Sequence, residues 1–352
     1  MGTGNFKNGG PGADGHARFP FMNMTMGTHP NEGKPNTAKL TVIMCTYNRC
    51  QSLGRALESA ASLALPESVE WEILVVDNNS SDQTRTVAES FCNRFPGRFR
   101  YLSEPRQGKS YALNSGIREA AGDILAFMDD DVTVDPDWLQ RLTAGLQDGE
   151  WVGAGGRIVP VWNSSPPRWL SLESKYAAGP LVAFHPKPNA GELHQAPIGT
   201  NMAFRKEMFE RYGTFRTDLG PRPGTELRNE DTEFGERLLA SGERFHYEPS
   251  AIVYHPVPDN RINKKYFQAW WFHKGEANVR QFGVQPGTKY YLAGVPVYLL
   301  RRFAKWTVKW MLCVDPAERF SNKLSAWENA GEIRECFRAA SIARKTPANC
   351  SA

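Results

Sequence analysis

The chain has 352 residues, with 42 Lys and Arg against 38 Asp and Glu, a formal charge of +4, and 41% hydrophobic and 23% charged residues. This composition suits a globular protein with one large core or two modest ones. It excludes a nucleic-acid binder, because the basic residues are not pooled in an arginine-rich tract with interleaved aromatics. Residues 1–38 are rich in Gly, Asn and Pro, hold no apolar run long enough for a signal-peptide core or a membrane span, and are expected to be a disordered tail. Phe6 stands where a myristoylation signal after Gly2 needs Ser or Thr. Six cysteines (Cys45, Cys50, Cys92, Cys313, Cys336 and Cys350) form no Cys-x-x-Cys pair, the pattern of reduced thiols in a cytoplasmic protein.

From Lys39 strand-like and helix-like segments alternate. Leu40 to Cys45 is an apolar, β-branched run, Ser52 to Leu63 has helical spacing, and Glu72 to Val76 is a second apolar run stopping at Asp77. Ser80, Ser81 and Asp82 are candidate caps for a helix to Phe95, followed by a short strand over Phe99 to Leu102. Ser110 to Ala120 forms the next helix, Asp123 to Met128 the next strand, and Asp135 and Pro136 open a helix with Trp138, Leu139 and Leu142 on one face. This order predicts an α/β domain with a doubly wound, mostly parallel sheet whose carboxyl-end loops face one cleft.

The strand from Asp123 delivers three consecutive carboxylates, Asp129, Asp130 and Asp131, to that edge. Like charges placed directly after a buried strand need a cation or hydrogen-bond donors to compensate them. Clustered carboxylate oxygens there suit magnesium or manganese bridging a diphosphate. Two other phosphate motifs fail. Gly108, Lys109 and Ser110 look like the end of a P-loop, but Ser103 occupies the position of its first glycine; Gly153, Gly155 and Gly156 do not complete a dinucleotide fingerprint.

Thr46, Tyr47, Asn48 and Arg49 after the first strand, Val76 to Asp82 after the second, the segment Gly108 to Gly116 with its lysine, and Asp129 to Asp131 together resemble family 2 glycosyltransferases of the GT-A fold. The resemblance runs from Lys39 to about Gly283. Gly199 to Phe204 and Asn229 to Glu233 resemble the family's acceptor-side loop and its Glu-Asp motif, and Tyr254, His255, Pro256 and Arg261 its late histidine segment.

The resemblance implies an inverting transfer of one sugar from a nucleoside diphosphate sugar, uridine-linked, to a glycan or lipid-linked hydroxyl. It places Asp77 on the nucleobase, with Thr46, Tyr47 and Arg49 as the nearby wall. Lys109 and Asn114 would meet donor phosphate or ribose, Asp129 the ribose or the metal, Asp130 the donor, and Asp131 and His255 the Mg2+ or Mn2+. Asp231 is implied as general base, with Glu230 beside it. An Asx turn at Asp77 and a helix-dipole role for Asp231 stand as structural alternatives. Trp162, Trp169, Trp270 and Trp271 are candidate faces for acceptor sugar rings. The Gln-x-x-Arg-Trp segment of processive synthases is absent, since Gln268 is followed by Ala269, Trp270 and Trp271, so single addition is favoured. A nucleotidyltransferase would carry a glycine-rich loop where Thr46 to Cys50 has no glycine; a catalytically silent sugar-nucleotide or glycan-binding module would not need both the aspartate triplet and Asp231.

The expected domains are the tail 1–38, a catalytic domain 39–288 and a basic helical extension 289–352. In the extension, Val297 to Leu312 reads as an amphipathic helix with Arg301, Arg302, Lys305 and Lys309 in one arc and Leu300, Phe303 and Met311 on the other side. Two roles stay open for it: resting on an anionic cytoplasmic membrane face, or packing on the catalytic domain.

Overall fold

The computed structural model describes residues 38–345 except 148, 164, 173 and 226, so the expected tail up to position 37 lies outside the described residues. Strand β1 (Leu40–Thr46), helix α1 (Cys50–Ala61), β2 (Trp71–Asp77), α2 (Thr84–Arg94), β3 (Phe99–Ser103), α3 (Lys109–Glu119) and β4 (Ile124–Asp129) follow the alternation read from the sequence. Helix α1 starts two residues before its expected Ser52 because its cap comes from elsewhere: the Cys50 amide donates to Asp82 Oδ2 at 3.2 Å. The same aspartate accepts from the Thr84 amide at 2.9 Å and so also opens α2.

Next come β5 (Thr133–Val134), α4 (Trp138–Ala144), β6 (Gly153–Trp162), α5 (Lys175–Leu181), β7 (Gly191–Leu193), β8 (Asn201–Arg205), α6 (Glu207–Tyr212), α7 (Glu230–Ala240) and β9 (Phe245–Val257). One sheet runs in the order β3-β2-β1-β4-β8-β6-β9-β5, with β7 paired to β9. Strands β1 to β4 are mutually parallel and β6 is parallel to β9, whereas β8 runs against both β4 and β6. The sheet is therefore mostly parallel, as expected, with β8 reversed at its centre.

Side chains alternate across this sheet with the strand period of two. Val42 and Met44 join Leu53 and Leu57 of α1 and Trp138 of α4 on one face; Ile43 and Val76 join Leu113 and Ile117 of α3 and Phe234 of α7 on the other. Phe209 and Phe234 stack at 4.5 Å between centroids, and Phe204 meets Phe234 edge-on at 5.1 Å. These contacts fix α7 against the sheet.

The chain ends in α8 (Lys264–Phe282), a hairpin of β10 (Tyr291–Leu292) and β11 (Val295–Pro296), α9 (Val297–Leu312) and α10 (Pro316–Lys345). Helix α10 crosses α8 at two glycines. A Cβ on Gly275 would collide with the Glu328 carbonyl oxygen, and one on Gly331 with that of Phe272. The described residues fall in one compact unit, so α8, inside the expected catalytic domain, and α10, beyond it, share one helical layer.

Candidate active site

Parallel strands present all their carboxyl ends on one edge, so Thr46, Asp77, Ser103 and Asp129 emerge side by side. Reversed β8 begins at that edge. Met128 of β4 pairs with Asn201 of β8, so the preceding turn, closed by the Asn201 amide on Ile198 O at 2.9 Å, sits beside the aspartates.

That turn holds two carboxylates through successive residues. The Gly199 amide donates to Asp231 Oδ2 at 2.7 Å, and Thr200 Oγ1 donates to Asp129 Oδ2 at 2.6 Å. The other oxygen of Asp129 accepts from Lys109 Nζ at 2.8 Å, and Lys109 also lies 3.7 Å from buried Glu230. Burial opposes a charge on Asp129, but Lys109 and the Thr200 hydroxyl outweigh it and hold the carboxyl well below the usual range. Burial likewise opposes the Lys109 charge, and Asp129 and Glu230 outweigh that, keeping the ammonium protonated. Glu230, pushed up to about 7 by burial against the pull of Lys109, is the softest acid of the group.

Asp231 sits in the first turn of α7, where a negative charge is favoured by the helix dipole. Its second oxygen accepts from the Thr232 amide at 2.7 Å. Helix α8 pins this helix start: Asn229, at φ 79°, accepts from Lys274 Nζ at 2.5 Å and donates to Asn278 Oδ1 at 3.1 Å and Gln281 Oε1 at 2.7 Å. Burial depresses the Lys274 pKa while Asp231 works against that shift.

Arg49, just ahead of α1, donates through one nitrogen to Asp130 Oδ1 at 3.0 Å and Asp131 Oδ2 at 2.7 Å. Burial pushes Asp130 up to about 6 despite Arg49. Asp131 is less enclosed. It lies 3.8 Å from His255 Nε2 and 3.6 Å from Arg261. Burial lowers the His255 pKa and so favours the neutral imidazole, whose Nδ1 is buried without a hydrogen-bond partner.

A cleft of about 620 Å³ opens over this edge, walled in part by Thr46, Tyr47, Lys109, Asp129, Asp131 and His255. Glu230 and Asp231 line a small adjoining cavity that shares Cys45, Lys109 and Asp129 with the cleft.

Two expected donor contacts lie off the cleft wall. Asn114 spends its amide on the Phe215 backbone, donating to O at 2.8 Å and accepting from N at 3.0 Å, and so anchors a loop. Asp77 is in the Asx-type turn, accepting from the Ser80 amide and from Tyr101 Oη, each at 2.9 Å. Its neighbour Asn78 does reach the wall and ties the β3–α3 loop down, accepting from the Gly108 amide at 2.7 Å. Of the four tryptophans, Trp270 lines the cleft; Trp271 is buried with Nε1 on Tyr176 O, and Trp162 and Trp169 pack in the C-terminal core. The sequence alone assigns no role to Thr200 or Lys274. The only signal for either was the position of Thr200 within the acceptor-side resemblance.

Among the described residues no three His, Cys, Asp or Glu side chains converge to hold a metal by themselves. Asp129 in particular has both oxygens engaged. What fits a hard divalent cation is the pair Asp131 and His255, one carboxylate and one neutral imidazole whose Nε2 faces it at 3.8 Å. Such cations are commonly held by one or two protein ligands, with substrate phosphates completing the shell.

The family model described as Glycosyl transferase family 2 matches residues 41–213. The chain is 29% identical over 255 residues to a succinoglycan biosynthesis protein, ExoM, of Rhizobium meliloti, covering 71% of this chain and 76% of that one. It is 26% identical over 241 residues to a glucosyl-dolichyl phosphate glucuronosyltransferase of Haloferax volcanii, covering 66% and 74%. Among solved structures, a mannosyltransferase of Pyrobaculum calidifontis in complex with GDP-Man and Mn2+ superposes with a TM-score of 0.51 at 20% identity, over 90% of this chain and 78% of that one. GalNAc-T7 with UDP, GalNAc and Mn2+ also gives 0.51, at 16% identity over 72% and 52%. These structural likenesses bear on the fold alone, which is of the GT-A type.

Proposed function

Given that the chain belongs to glycosyl transferase family 2 and is a glycosyltransferase, we propose that it moves one sugar, with inversion, from a uridine diphosphate sugar to a hydroxyl of a glycan or lipid-linked acceptor in polysaccharide assembly. The observation that carries this reading is the Gly199–Thr200 turn, which ties Asp129 on the donor side to Asp231 on the acceptor side through adjacent residues. A single displacement needs the donor and the attacking hydroxyl held on a common rigid element, because misplacement forfeits most of the advantage of proximity.

In this reading Asp231 accepts the proton of the attacking hydroxyl. Lys109 holds Asp129 ionised toward the donor. Its contact with Glu230 keeps positive charge between the two carboxylates of the α7 start and the donor side. Trp270 lies at the cleft wall, with the Arg228 guanidinium 5.1 Å from its ring centroid. A divalent cation would be held by Asp131 and His255; when bound, it neutralises charge on the leaving diphosphate. Polysaccharide assembly and a lipid-linked acceptor are supported by the names of the two relatives.

A donor panel tests the reading. With manganese present, UDP sugars and GDP-mannose at about a hundredfold their dissociation constants each add about 2.7 kcal/mol of stability if they bind the folded protein. A thermal shift confined to UDP sugars, and a product anomer opposite to the donor's, are the expected results. A shift with GDP-mannose alone would replace the uridine donor, and a retained anomer would overturn the single displacement.

A further inference from the structure

We propose that the outward face of α9 docks on an anionic bilayer surface. The helix extends over Val297–Leu312, and the structure separates its two sides. Its inner side meets α10: Leu299 is buried in a small cluster with Cys336, and Arg302 pairs with Glu332 and Asn329. Packing on the rest of the protein is thereby satisfied, and Arg302 leaves the basic arc read from the sequence.

The outer side carries Arg301, Lys305, Val308, Lys309 and Leu312, spaced by four, three, one and three residues along one face; all five are exposed, and so is Met311 on the flank away from the cations. Val308 is 50%, Met311 62% and Leu312 76% exposed, and Val314 just beyond the helix is 91% exposed. From Lys289 to Val314 there are five Lys and Arg and no Asp or Glu. The ammonium groups of Lys305 and Lys309 lie 5.7 and 5.0 Å from the Trp306 ring, so this aromatic is part of the same surface. At the other end of the helix, the hairpin before it exposes Tyr290 and Leu292.

Cations and apolar side chains mixed on one exposed face fit a boundary where lipid phosphates lie over acyl chains. An apolar protein groove would accept Met311 and Leu312 but not three cations. An acidic soluble partner would accept the cations and leave the apolar side chains in water. The bilayer satisfies both. Such attachment goes beyond the proposed transfer reaction, and its test reads binding rather than turnover, so either can fail without the other.

The test is cosedimentation of the full chain with vesicles of neutral phospholipid, or of neutral phospholipid mixed with anionic phospholipid, at low and high salt. Binding to the anionic vesicles alone, weakened by salt, is expected. Each basic residue near an anionic surface contributes about fivefold in partitioning, so R301E/K305E/K309E is expected to lose at least about a hundredfold. Met311→Ser with Leu312→Ser should weaken binding at both salt concentrations. Far-UV circular dichroism and donor-induced thermal shifts confirm that the variants fold. Absence of binding to anionic vesicles, or a triple variant that binds like the wild type, overturns the proposal. So does light scattering that shows the face closing a dimer that the triple variant dissolves.

Discussion

Replacing Gly331 by Ala separates two effects of opposite sign. Alanine in a helix interior is favoured over glycine by about 1 kcal/mol, so propensity alone makes the variant more stable. At the α8–α10 crossing, however, the added Cβ would stand 2.9 Å from the Phe272 carbonyl carbon and 3.1 Å from the Glu276 nitrogen, and would overlap the Phe272 oxygen. These are backbone atoms and cannot swing aside, so the helices must separate. Overpacking of this kind costs about 1–3 kcal/mol, and the upper half of that range leaves a net loss of about 1–2 kcal/mol after the propensity gain. With an unfolding entropy of about 2.1 cal/mol/K per residue, a chain of this length should lose about 1–3 °C in Tm. Gly54→Ala is the control: it lies within α1, and the nearest atom to its Cβ would be Val87 Cγ1 at an ordinary 3.8 Å. It should gain about 1 kcal/mol. Urea titration and calorimetry of both variants provide the measurement. A Gly331→Ala protein at or above wild-type stability would refute the packing argument, whereas a loss at 331 with a gain at 54 supports it.

Two further outcomes follow from the site. Burial raises the Glu230 pKa to about 7, so between its ordinary value near 4.5 and about 7 the folded state binds more protons than the unfolded state, and stability falls as pH rises through that window. Glu230→Gln should flatten this decline, and denaturant midpoints that keep the wild-type slope from pH 4.5 to 7 would count against it. Asp131→Ala should weaken nucleotide binding in the presence of manganese while leaving metal-free binding nearly unchanged, because a seat for the cation is lost. Calorimetry showing equal losses with and without metal would place the cation elsewhere.

The sheet was legible because its evidence is local. Each of β1, β2 and β4 ends in at least four consecutive apolar residues stopped by a polar one, and parallel pairing then brings Thr46, Asp77 and Asp129 to one edge without further information. The site was legible only as far as that logic reaches. Thr200 meets Asp129 because reversed β8 pairs with β4 across 71 residues, and no period or spacing announces a reversed partner at that distance. Asn114 followed the same rule in the other direction: it stands in a helix on the correct edge, yet the Phe215 backbone, 101 residues away, takes both of its amide atoms. The helical layer that spans the expected boundary at 288 has a comparable cause. Gly275 and Gly331 each look like an ordinary helical glycine, and only their mutual approach reveals that α8 and α10 form one layer. The amphipathic helix, whose pattern is local, was read with the bounds it has in the structure.

Asp231, held by the Gly199 amide at the start of α7, is the proposed base for sugar transfer. Asp231→Asn tests this role most directly, because the amide preserves the shape and an acceptor oxygen for the Gly199 amide, at the expense of the bond from Thr232, while removing the proton-accepting charge. Removing a general base typically costs on the order of 100- to 10,000-fold. The measurement is kcat for transfer to a competent acceptor, alongside donor affinity by calorimetry. A fall in kcat of that size with donor affinity unchanged is the expected result; turnover within a few-fold of wild type would contradict the account.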